Sequence, residues 1–222
     1  MNTILKKKAV LFDLDGTIID TIADIAAAVN RAIAYYGYPG RTVDEVQSFL
    51  GNGSLMLIRR AIGSDESDEY CKEIRARFRE EYEKGMYDLT RPYEGIAELF
   101  DELSAKGAKI AVITNKDHRC AEPMIRHYFG DLVDVCRGVT VDMDRKPDTR
   151  VTLSVLAEFG VTPEEALFVG DGMPDLMVSR NSGIDFIPVG YGYTDSEKLY
   201  SESGKKVAED VNSLRSELLK YF

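Results

Sequence analysis

The chain has 222 residues, which suits one large domain or a core carrying a smaller insert. Hydrophobic residues make up 44% and charged residues 30%, so it can bury a core and keep a solvated surface. The formal net charge of −10 argues against a general nucleic-acid or anionic-membrane binder, and no apolar run approaches the length of a membrane span.

Near the N-terminus, Lys6, Lys7 and Lys8 read as a solvated approach to a strand. Only Ala9 to Phe12 follow before Asp13, too short for the apolar region of a signal peptide. That apolar run reads as a strand buried on both faces. It stops at Asp13, and Asp15, Gly16 and Thr17 come next. Two carboxylates at the end of a buried strand repel each other and are costly to desolvate, so their placement asks for a reason.

From about Thr21 to Tyr87 no strand-like run occurs. Ile22, Ile25, Ala26, Val29 and Ile33 form a helical stripe ending near Gly37. Thr42 and Glu45 make a capping box for a second helix. Leu55, Ile58 and Ile62 give a third helix before Gly63, and Tyr70, Ile74, Phe78 and Tyr82 a fourth. Gly51-Asn52-Gly53 reads as a helix-breaking turn or as a loop that reaches a substrate. Arg59, just after it, is either solvated or a partner for a substrate carboxylate. This is an all-helical insert with tethers near Ile18–Thr21 and Met86–Pro92, and such an insert can act as a lid.

Beyond it, strand and helix patterns alternate. Ile96, Leu99, Phe100 and Leu103 make one helix face that stops at Gly107. Ile110 to Ile113 read as a strand, followed by Thr114, Asn115 and Lys116, and His118 lies near a helix start. A weaker strand covers Val139 to Val141. Lys146-Pro147 lies in a loop ahead of a helix whose face is Leu153, Leu156 and Ala157, closed by Gly160. Ala166 to Val169 form a strand followed by Gly170, Asp171, Gly172 and Asp175, and Ile184 to Val189 form another. Tyr191 and Tyr193 line a site entrance or pack on the core. Cys71, Cys120 and Cys136 show neither a zinc spacing nor a disulfide framework and read as reduced thiols of a cytoplasmic protein.

The alternation predicts an α/β fold, a Rossmann-like parallel sheet with helices on both faces, interrupted by the helical cap. The expected core is 1–18 with 88–222, and the expected cap 19–87. Ligands of such sheets sit beyond the carboxyl ends of the strands, where the acids, a hydroxyl and a lysine collect. Those types suit phosphoryl transfer. Carboxylates one residue apart can hold a hard cation such as Mg²⁺ through oxygen ligands. A lysine can pair with both a nucleophilic carboxylate and a phosphoryl group. Thr114 Oγ and the backbone N–H groups after Asp13 can donate to phosphoryl oxygens.

LFDLDGT, VITNK, RKP and VGDGMPD, in that order, resemble the four motifs of the haloacid dehalogenase superfamily, over essentially the whole chain. FDLDGTIIDT, FLGNGS, RPYEG, ITNK, VGD and VGYGYT are most similar to its phosphoglycolate phosphatase group. The resemblance implies that Asp13 is the nucleophile, forming an aspartyl-phosphate, and that Asp15 is the general acid and base. It implies that Mg²⁺ is held by Asp13, the Asp15 backbone carbonyl and Asp171. The resemblance also implies that Thr114 and Lys146 bind the phosphoryl group with Asn115 assisting, and that Asp175 orients a ligand water or Lys146. Thr114 could instead cap the following helix, though its place right after a buried strand favours the site, and Asp175 could N-cap the helix beginning near Leu176. Asp148 and Gly172 depart from the family pattern, where many members have proline and serine. Neither change removes a side chain the chemistry needs.

The implied function is a Mg²⁺-dependent phosphatase for a small phosphorylated metabolite, foremost 2-phosphoglycolate, working as a monomer or homodimer with no nucleic-acid or membrane partner. Its rivals are a phosphatase for a nucleotide, sugar phosphate or pyrophosphate, a phosphosugar mutase, and a non-catalytic binding protein on the same fold. Dehalogenation is disfavoured, because relatives with that activity need neither the second acid nor the metal, and Asp15 is present.

Overall fold

A computed structural model of the chain describes residues 6–63, 65–140 and 145–222. These fall into two compact units, 1–18 with 92–222 and 19–91. The first unit holds a five-stranded parallel sheet. Its strands are β1 (Ala9–Phe12), β2 (Lys109–Asp117), β3 (Val135–Val139), β4 (Ala166–Gly170) and β5 (Asp185–Pro188), in the spatial order β3-β2-β1-β4-β5. The order reverses between β1 and β4, the switch point at which open α/β sheets bind ligands. Phe12 pairs with both Val112 and Val169, so the end of β1 lies level with those residues of β2 and β4, and β2 runs on to Asp117.

Alternate strand residues supply two apolar layers. Ala9, Leu11, Ala111, Ile113, Ala166 and Phe168 pack with Val155 and Leu156 of one helix (Arg150–Phe159) and with Leu176 and Val178 of another (Met173–Ser182). On the other side Phe12 meets Phe100 of the Ile96–Ala105 helix at 5.0 Å between rings, and Phe100 meets Phe129 of the His118–Phe129 helix. Both faces are therefore covered, as a run buried at every position of β1 and β4 requires.

The second unit is built on four helices, Ile22–Tyr35, Val43–Phe49, Gly53–Ile62 and Asp68–Gly85. Thr42 and Glu45 do form a capping box: Glu45 N–H donates to Thr42 Oγ1 at 3.2 Å and Thr42 N–H to Glu45 Oε2 at 2.7 Å. Gly51 and Gly53, at φ of 97° and 80°, make the turn between the second and third helices. Asp24 is buried and accepts from Leu89 N–H at 3.0 Å and Thr90 N–H at 2.8 Å, tying the end of this unit to its first helix.

Three local expectations need correction. Lys7 is buried rather than solvated: its Nζ donates to Asp185 Oδ2 at 2.6 Å and to the Glu164 carbonyl at 2.7 Å. The weak strand is Val135–Val139, earlier than expected, and Val141 lies outside the described residues. The Arg150–Phe159 helix buries Thr152, Val155 and Leu156, whereas Leu153 is 40% exposed. The three cysteines are buried and unpaired with one another, and burial pushes the Cys136 thiol up to about 12. Among the described residues no helix is long and apolar enough to cross a membrane.

Candidate active site

The strand ends bring the acids together. The ladder continues one residue past β1, where Asp13 N–H donates to the Val169 carbonyl at 2.9 Å. Asp13, Asp171 and Asp175 each place a carboxylate oxygen within 4.8 Å of the others. Lys146 sits among them, its side chain only 2% exposed, with Nζ 2.7 Å from Asp13 Oδ1 and 2.6 Å from Asp175 Oδ1. The contact to Asp175 is a hydrogen bond. The contact to Asp13 Oδ1 is an ion pair without hydrogen-bond alignment, so this buried oxygen has no hydrogen-bond donor.

Each member is held by its neighbours. Asp171 Oδ1 accepts from Thr17 Oγ1 at 3.1 Å and Oδ2 from Tyr193 N–H at 2.7 Å. Asp175 is not the N-cap of its helix. It lies in the first turn, and its Oδ2 accepts from Gly172 N–H at 2.9 Å. Its carboxylate lies so close to Gly170 that a Cβ there would be 2.5 Å from it. The amide of Asn115 clamps the backbone of Lys146, accepting from its N–H at 2.8 Å and donating to its carbonyl at 3.1 Å. Thr114 is 5% exposed, and its Oγ1 accepts from Lys116 N–H at 3.2 Å, so its own O–H is the donor it can offer. Asp15 stands a little apart and pairs with Lys116, Nζ to Oδ1 2.8 Å.

Burial first, and then the charge of Asp13, push the Asp171 carboxyl up to about 7. The same two causes raise Asp175. Burial works against the Lys146 ammonium, but Asp13 and Asp175 outweigh it and hold its pKa above the ordinary lysine value. With all four acids ionised, Asp13, Asp15, Asp171 and Asp175 carry −4 against +2 from Lys116 and Lys146. The remaining −2 matches a divalent cation, and an all-oxygen donor set suits a hard one. The Asp13 carboxylate, within reach of the Asp171 and Asp175 carboxylates, fits the same ion.

The chain matches the model of the haloacid dehalogenase-like hydrolase family over residues 10–189. It belongs to that family. This haloacid dehalogenase-like hydrolase is therefore an enzyme, in class a phosphoric monoester hydrolase. It is 32% identical over 213 residues to phosphoglycolate phosphatase of Pseudomonas putida strain KT2440, covering 93% of this chain and 78% of the relative. It is 35% identical over 193 residues to phosphoglycolate phosphatase of Agrobacterium fabrum, covering 83% and 81%. Among solved structures it superposes, with a TM-score of 0.87, on a Lactobacillus delbrueckii subsp. bulgaricus protein provisionally named phosphoglycolate phosphatase. That pair is 28% identical over 95% of this chain and 98% of the other.

Some features of this hydrolase's site escape sequence reasoning. Lys116 follows two expected site residues, yet its pairing with Asp15 spans 101 positions and has no local signal. The grip on Asp171 comes from Thr17 and from the loop after β5. There Tyr191 Oη donates to the Thr17 carbonyl at 3.0 Å, and Gly192 packs so closely that a Cβ would lie 2.2 Å from the Gly16 carbonyl oxygen. In the sequence, VGYGYT is the signal of this loop. Outside the cluster, His118 Nδ1 accepts from Gly138 N–H at 3.3 Å. In the helical unit Arg59 pairs with Asp68 and donates to the Glu66 carbonyl at 2.9 Å.

Proposed function

We propose that the protein is a Mg²⁺-dependent phosphatase that hydrolyses a small phosphomonoester, foremost 2-phosphoglycolate, through an aspartyl-phosphate. The observation that carries this is the buried Asp13–Lys146–Asp175 contact beside Asp171 at the ends of adjacent parallel strands. The reading takes residues 1–18 with 88–222 as the catalytic core and 19–87 as a helical cap; the division into compact units supports it. The names of the relatives support the substrate. The protein is taken to be cytoplasmic, working as a monomer or homodimer on a small phosphorylated metabolite.

The ion would be held by Asp13, Asp171 and the Asp15 backbone carbonyl, with Asp175 as a neighbouring carboxylate. When bound it would offset the charge of the acids and of the phosphate. Asp13 attacks phosphorus, and the ester P–O bond breaks as the new O–P bond forms. Asp15 gives its proton to the departing alkoxide oxygen. Asp15, now a carboxylate, takes a proton from water, which attacks the aspartyl-phosphate. Phosphate leaves, and the Asp13 carboxylate and the Asp15 proton are restored. Lys146 pairs with the phosphoryl oxygens as the charge moves off Asp13, and the Thr114 O–H donates to them. Asn115 assists by fixing the backbone of Lys146.

The test is hydrolysis of p-nitrophenyl phosphate with Mg²⁺, with chelator, and by Asp13→Asn. Turnover should need both the metal and Asp13. Metal-independent turnover that survives the substitution sinks the mechanism. A phosphometabolite panel then tests the substrate: if phosphoglycolate ranks far below a nucleotide or sugar phosphate in kcat/KM, the substrate is wrong and the chemistry stands.

A further inference from the structure

Two lysines, not one, meet the acids at the strand ends. Lys146 serves Asp13 and Asp175. Lys116 serves Asp15: Nζ is 2.8 Å from Oδ1, and the lysine side chain is only 6% exposed against 20% for the aspartate. A lysine that deeply covered is costly unless a carboxylate meets it, and the pair is sensitive to loss of either partner.

The backbone delivers Lys116 to this place. It lies near the end of β2, where the register against β3 shifts between Ile113 and Asp117. The Lys116 N–H bonds to Thr114 Oγ1, two residues back. The same short turn thus sets the Thr114 hydroxyl and aims the Lys116 side chain at Asp15.

We propose that Lys116 is a positioning residue for Asp15, anchoring Oδ1 so that the carboxyl presents its other oxygen to the ester oxygen of the substrate. This rests on the reading of Asp15 as the general acid. Lys116 itself transfers no proton and touches no phosphate. The ammonium is a directional anchor, and loss of direction should slow only the step in which Asp15 must reach the leaving group.

The experiment measures kcat/KM, which reports formation of the aspartyl-phosphate, over a series of aryl and alkyl phosphates of increasing leaving-group basicity. A p-nitrophenolate leaves without help, whereas an alkoxide needs the proton. Lys116→Met should lose on the order of 30-fold with alkyl phosphates, a part of the roughly 10²–10⁴-fold that a positioned acid contributes, and less than about threefold with p-nitrophenyl phosphate. Lys116→Arg keeps the charge and should recover most of the alkyl activity. Adding Lys116→Met to Asp15→Asn should cost little more, because both act through one group.

Equal losses for aryl and alkyl substrates in Lys116→Met overturn the proposal. Should that variant not fold, Lys116→Arg decides: a dependence on leaving group between wild type and Asp15→Asn supports it, and a uniform loss overturns it. If Asp15→Asn itself loses equally with aryl and alkyl substrates, the general-acid reading has failed and the proposal falls with it. That outcome is distinct from failure at Lys116 alone.

Discussion

Charge is arranged oppositely in the two units. In the helical unit Glu81 is surrounded by cations: Lys84 at 3.0 Å, Arg77 at 3.0 Å and Arg31 at 3.2 Å. Lys84 first, then Arg77 and Arg31, draw its carboxyl below the usual range. At the strand ends of the α/β unit, Asp13 and Asp175 share Lys146 beside Asp171, and Asp171 and Asp175 are pushed up instead. One arrangement saturates an acid and holds helices together. The other leaves acids short of positive charge, which disfavours the folded state by itself and suits the proposed cation and phosphate. Buried, perturbed acids of the second kind mark functional sites.

Exchanging single charges tests this contrast. Asp13→Asn should lower kcat on the order of 10³-fold or more, as loss of the proposed nucleophile would, yet leave the metal-free Tm unchanged or higher, because it removes one of the mutually repelling acids. Glu81→Gln should do the reverse, lowering Tm with kcat nearly intact. If Asp13→Asn destabilises the metal-free protein as much as Glu81→Gln does, the contrast is wrong. Lys146→Met should lose activity and about 3–5 kcal/mol of stability in urea unfolding, the range for breaking a buried ion pair from one side.

The same contrast explains what the sequence made legible. Strand ends could be read because an apolar run such as Ala9–Phe12 stops at an acid, and both facts are local. The helices of the insert could be read because their buried positions repeat every three to four residues, and Ile25, Val29 and Ile33 are indeed buried. Where a polar residue enters the core, the pattern misleads: Thr152 is buried and Leu153 is not, so the Arg150–Phe159 helix is turned from the face its leucines suggest. Arg137 and Gly138 break the apolar pattern of β3, so that pattern points downstream to Val139. Lys7–Asp185 and Lys116–Asp15 join residues 178 and 101 positions apart, and no spacing rule reaches that far.

The raised acids also predict a pH dependence. The Asp171 carboxyl, near 4 when unfolded, titrates at about 7 in the folded, metal-free protein. Between those values the folded state holds a proton that the unfolded state has lost. The stabilisation is complete below the unfolded value and is lost as pH rises through about 7. In chelator, the Tm of Asp171→Asn minus that of wild type should therefore grow from pH 5 to pH 8, on the order of 5 °C for a chain of this size. Mg²⁺ should raise the wild-type Tm more at pH 8 than at pH 5, because it displaces that proton. A Tm difference that is flat across this range removes Asp171 from the contrast.

A smaller effect is expected where the fold merely aims a proposed metal ligand. A Cβ at position 192 would lie 2.5 Å from Asp171 Cβ and 2.6 Å from Oδ2. Gly192→Ala should shift that carboxylate and raise the half-saturating Mg²⁺ concentration about tenfold, equivalent to about 1.4 kcal/mol. Calorimetric titration of metal into the variant reads this directly. Unchanged affinity would show that the loop after β5 tolerates the methyl by moving away.

The smallest effect belongs to the saturated side of the contrast. Arg59 is the residue a substrate carboxylate would call for, but its guanidinium is engaged by Asp68 and by the Glu66 carbonyl. An arginine so engaged is a structural partner, and an exposed pair of this kind contributes at most about 1 kcal/mol. Arg59→Ala should therefore lower kcat/KM by less than about threefold, and equally for phosphoglycolate and p-nitrophenyl phosphate. A selective loss on phosphoglycolate would mean that Arg59 exchanges Asp68 for the carboxylate of the substrate, and would move this residue from the stabilising set of charges to the functional one.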